Sequence, residues 1–128
     1  MSITYSIIGR LFRVDFVGRY SPEEVLETFD AAFANPAFPQ EALFLMDLRH
    51  SDSVGDRSVA AIRELVDRLG ARAAGWSERF AIVVSEPVQF GVMRMASVFA
   101  ESHGIEVQIF EELREALSWL DPSGAPGE

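Results

Sequence analysis

Apolar and polar residues alternate along the start of the chain at the period of β-strands. Two β-rich runs, Ile3 to Ile8 and Leu11 to Val17, are separated by Gly9-Arg10, whose glycine supplies the backbone freedom of a tight hairpin turn. In the second run Phe12, Val14 and Phe16 alternate with Leu11, Arg13 and Asp15, so the first set is expected to face the core. Gly18 breaks the pattern. Ser21-Pro22-Glu23-Glu24 then predicts a helix start, with serine as the cap, proline in the first turn and Glu24 completing a capping box. Val25, Leu26, Phe29 and Phe33 follow at helical spacing until Asn35-Pro36 ends the element.

Further on, Ala42 to Met46 is a continuous apolar run entering Asp47-Leu48-Arg49, the pattern of a strand covered on both faces. A polar loop from His50 to Asp56 precedes a helix carrying Ile62, Leu65, Val66 and Leu69, with Gly70 expected at its end. Arg79 to Val84 reads as a second buried strand, and Pro87 opens a long helix reaching about His103-Gly104. Glu106 to Ile109 is a short last strand. Glu111 to Leu120 is a final helix, with Phe110, Leu113, Leu117 and Leu120 as its apolar stripe.

The order β-β-α-β-α-β-α-β-α predicts an α/β fold, a mixed sheet of about five strands with about four helices, parallel in its second half. Residues 1–120 are expected to form a single domain, and 121–128, rich in proline and glycine, a flexible C-terminal tail.

Charge and composition remove several function classes. The net charge is −9, and every basic residue is an arginine scattered among carboxylates, which argues against nucleic acid. Without lysine there is no Schiff base and no P-loop lysine; without cysteine there is no disulfide, thiol nucleophile or thiolate metal site. The start Met1-Ser2-Ile3-Thr4-Tyr5 is unlike a signal peptide, and no apolar stretch approaches a membrane span, so a cytoplasmic location is the default expectation.

The element order and several local signatures resemble the SpoIIAA-like branch of the STAS domains. They are Gly18 before Ser21-Pro22-Glu23-Glu24, the strand end Leu45 to Arg49, the run Phe80 to Val84, Phe90-Gly91-Val92-Met93-Arg94-Met95, and Val107 to Phe110 leading to Glu115 to Leu120. The resemblance spans roughly residues 3 to 120. It implies a STAS-like fold and a regulatory or binding role, since the branch is similar both to phosphorylatable anti-sigma-factor antagonists and to lipid-binding CRAL-TRIO-type domains. The antagonists carry Asp-Ser-Ser-Gly where this chain has Asp56-Arg57-Ser58, without the glycine and one serine.

Ser58 is therefore read two ways, as a phosphoacceptor at a helix start or as a capping residue. Asp47, His50, Asp52 and Asp56 gather near a strand's carboxyl end, but their spacing fits neither a calcium loop nor a zinc signature, and neither a metal nor a cofactor is expected. His50 and His103 lack a nucleophile partner, and Ser85-Glu86 reads as the start of a helix or as a polar group in a crevice. No nucleophile–base pair supports an enzyme.

The segment Phe90 to Ala100 is apolar except for Arg94 and Ser97, more than one helix face can pack. Phe90, Met93, Ala96 and Ala100 fall on one side, and Val92, Met95 and Phe99 on another. The second side needs a cover: the final helix, a second subunit in a homodimer, or an apolar ligand. Phe90, Met93, Met95, Phe99 and Trp76 are thus the candidate residues of a groove for a nonpolar, lipid-like molecule or a protein partner, with peripheral membrane association as a further expectation. Phe38 is a candidate for its rim or a plug of the core edge.

Overall fold

A computed structural model describes residues 2–39, 42–52, 58–73 and 79–121. Five strands form one sheet in the order β1 (Ile3–Ile8), β2 (Leu11–Gly18), β3 (Leu43–Ser51), β4 (Arg79–Val83) and β5 (Glu106–Phe110). β1 and β2 pair antiparallel, and every later pair is parallel. The hairpin turns at Gly9, whose φ of +60° is open to glycine and suits the first central position of a type II′ turn. The element order and the mixed sheet are those expected from the sequence.

Helices α1 (Pro22–Ala34), α2 (Val59–Ala73) and α3 (Pro87–Glu101) lie on one face of the sheet, and α4 (Leu113–Leu120) on the other. Strand alternation produces this division. Phe12, Val14, Phe16, Phe44, Phe80 and Ile82 point to the three-helix side, where Phe12 meets Phe29, Phe38 and Phe44 edge-on. Leu11, Leu43, Leu45, Ala81 and Val83 point to α4 and pack under Ala116 and Leu120. Phe38 is a plug of the core edge.

The capping box forms as its sequence predicts: Glu24 N–H donates to Ser21 Oγ at 3.2 Å, and Ser21 N–H to Glu24 Oε1 at 3.3 Å. Several boundaries differ from those expected: α3 ends at Glu101, short of His103-Gly104, and α4 begins at Leu113 where Glu111 was expected, while two further differences have a visible cause. β3 continues through His50 to Ser51, because pairing with Val17 and Gly18 resumes beyond a register shift in β2. Gly70 does not end α2, which runs on to Ala73. A Cβ on Gly70 would lie 2.6 Å from Cγ of His103, so the glycine serves close approach of α2 to the end of α3. The same crossing carries a bond between His103 Nε2 and Asp67 Oδ1 at 3.0 Å. Residues 122–128, the remainder of the expected tail, lie outside the described residues.

Candidate functional site

The helices on the three-helix face are not equally close to the sheet. α2 rests against α1 and α3, and approaches the strands only weakly. Ala96 and Ala100 on α3 are small residues at positions where larger side chains would reach into the gap beneath the helix. The result is a cavity of about 110 Å³. Its floor is Phe16, Met46, Leu48, Phe80 and Ile82 of the sheet; its walls include Ile62, Leu65, Val66 and Leu69 of α2 and Val92 and Met93 of α3. Among the described lining residues, Tyr20 alone has a side-chain oxygen, and its hydroxyl accepts a hydrogen bond from Ser51 Oγ at 2.8 Å. A site with so little polar character favours apolar contents over water.

Two of the candidates on α3, Met93 and Phe90, fall at or near this cavity, and the others do not. Met93 lines it; Phe90 packs against the core beside it. Val92, assigned from the sequence to the opposite stripe, also turns into the cavity. Met95 is half-buried and outside the lining. Phe99 is half-buried under α2, with the Arg63 guanidinium 5.5 Å from its ring centroid. The final helix is not the cover of α3, because α4 packs on the opposite face of the sheet. Val88 and Val98 of α3 stay exposed, and Trp76 lies outside the described residues.

A second feature, on the α4 face, was not legible as a unit. α4 covers the β3–β5 side of that face and leaves Arg13, Asp15, Asp47 and Arg49 beyond its end. Asp47 is 3% exposed. It accepts bonds from Arg49 Nε at 3.0 Å, Arg49 Nη2 at 2.7 Å and Arg13 Nη2 at 3.1 Å, while Arg13 also reaches Asp15. Burial pushes the Asp47 carboxyl up, but hydrogen bonds from the Arg49 side chain and backbone, with the charges of Arg49 and Arg13, outweigh it and leave its pKa below the ordinary value. Its bond to Asp47 raises the Arg49 pKa against the effect of burial. Asp47 thus spends its oxygens on two guanidinium groups, and His50 is exposed. Among the described residues no group of His, Asp and Glu stands close enough to hold a metal ion.

The remaining polar candidates are structural in geometry. Ser58 is exposed and its Oγ accepts the Ala61 N–H at 3.1 Å, capping α2; Asp56 and Arg57 lie outside the described residues. Ser85 Oγ donates to the Arg49 carbonyl at 3.0 Å. Gln89, which the sequence reading passed over, is 2% exposed; its Nε2 donates to the Leu48 and Ser51 carbonyls, and its Oε1 accepts from Ser85 N–H and Glu86 N–H. It ties the start of α3 to the end of β3. Its signal was a glutamine three residues after the cap of an otherwise apolar helix.

A mixed five-stranded sheet with three helices on one face and one on the other defines a small α/β domain. The family described as SpoIIAA-like matches residues 11–121, and the chain belongs to it. No curated protein matches. Among solved structures the chain is similar to an uncharacterized protein of the DUF3478 family from Shewanella loihica PV-4 with a SpoIIAA-like fold. The two are 24% identical with a TM-score of 0.61, over 92% of this chain and 91% of that one, a likeness that concerns the fold. The fold is that of a regulatory or binding domain. No helix among the described residues is long and apolar enough to cross a membrane.

Proposed function

We propose that the chain is a non-catalytic binding domain of regulatory type that holds a small nonpolar molecule between its sheet and helices α2 and α3. The observation that carries this reading is the 110 Å³ cavity with a nearly wholly apolar lining. Cavities of roughly 150 Å³ with such walls stay dry and admit a benzene-sized guest, whereas drug-sized pockets begin near ~300 Å³. The matching occupant is therefore a ring or short hydrocarbon chain. A longer acyl chain requires α2 to move away from the sheet.

The methionines supply the test. Met46 and Met93 line the cavity, while Met95 stands outside it. In a protein labelled at its methionine methyl groups, titration with benzene and with fatty acids of increasing length should shift the Met46 and Met93 resonances and leave Met95 in place. Shifts confined to Met95, or none with any apolar probe, would contradict this reading and return the groove to the outer side of α3.

A further inference from the structure

The outer edge of β1 suits a different occupant. Val17 N–H donates to the Ser2 carbonyl at 2.7 Å, so the period of the ladder turns the backbone groups of Ser2, Thr4, Ser6 and Ile8 toward β2. Those of Ile3, Tyr5 and Ile7 face outward, and no described residue bonds to them. Edge strands are ordinarily guarded by charge, proline or a bulge. β1 reads Ile-Thr-Tyr-Ser-Ile-Ile and carries no charged residue or proline, whereas the opposite edge, β5, carries Glu106.

Beside this edge runs an open groove of about 410 Å³ between β1 and α1, lined by Thr4, Tyr5, Glu24, Glu27, Thr28 and Ala31. The four α1 positions form one stripe at helical spacing. A strand added to β1 would place every second side chain on the Tyr5 side of the sheet, beneath the Glu24 and Glu27 carboxylates. We infer that the β1 edge and the α1 groove form a docking site for an extended segment of a partner protein with basic residues at alternate positions. Main-chain pairing would supply affinity and the carboxylates the choice of sequence. A second copy of this chain is the poorer guest, since edge-to-edge pairing would set two such acidic stripes side by side in a protein of net charge −9. This surface is separate from the apolar cavity and stands without it.

Fluorescence anisotropy with a short labelled peptide of alternating arginine and threonine tests the site. The arginine peptide should bind, its glutamate counterpart should not, and Glu27→Arg should weaken binding about tenfold. N-methylation of alternate peptide amides should abolish binding in one frame and spare it in the other, and the bound peptide should slow amide exchange at Tyr5 and Ile7. Absence of binding, equal binding by the Glu27→Arg variant, unchanged exchange at Tyr5 and Ile7, or peptide-independent self-association through β1 would each overturn the proposal.

Discussion

Ala96 lies on α3 at the wall of the apolar cavity and is 8% exposed, so Ala96→Leu places three more carbons into the void. Burial of the added carbons at ~0.8 kcal/mol each contributes roughly 2 kcal/mol. Imperfect fit of the leucine rotamer removes about 1 kcal/mol of that gain. The expected net effect is stabilisation by about 1 kcal/mol, seen in urea denaturation followed by circular dichroism with an unchanged m value, and as a rise in Tm of about 4 °C. The same variant should lose the methyl shifts that benzene produces in the parent. Destabilisation by more than ~1 kcal/mol would mean that the space around Ala96 is already filled, and the reasoning from the cavity would fail.

Three further outcomes follow from the geometry. Asp47 has a folded pKa below its unfolded value near ~3.9, so its contribution is present above that pH and is lost as pH falls through the folded pKa. Asp47→Asn should therefore be less stable than the parent at neutral pH, with the gap closing below about pH 4 in acid-unfolding curves. Gly70→Ala should destabilise by about 1–2 kcal/mol through collision with the His103 ring, yet become neutral or stabilising in a His103→Ala background, where alanine's helix preference acts alone. A thermal-melt double-mutant cycle reads that reversal of sign. Ser58→Ala should cost about 1 kcal/mol by removing the cap of α2, measured by denaturant titration.

The sequence was most legible where function and packing agree locally. Ser21 and Glu24 sit in the same turn and bond to each other, so their role follows from spacing alone. The alternation of Phe12, Val14 and Phe16 likewise settled which face of β2 meets the helices. Gly70 was misread because a glycine that stops a helix and one that admits a neighbour look alike until the neighbour, His103, is known. Asp47 and Arg13 are 34 positions apart and meet only through the β2–β3 register, which no local pattern encodes. The excess of apolar residues on α3 was visible, but its meaning was not. It depends on which side faces the sheet, and Val92 beside Met93 shows that the inward face is wider than one stripe.

The proposed binding role depends on the chamber beneath α2 and α3. A crystal of the protein pressurised with xenon tests it most directly, since xenon enters dry apolar cavities and scatters strongly. Xenon should occupy a site bordered by Met46, Ile82 and Met93. Diffraction that shows these side chains closed against one another, with xenon bound elsewhere or nowhere, would contradict it.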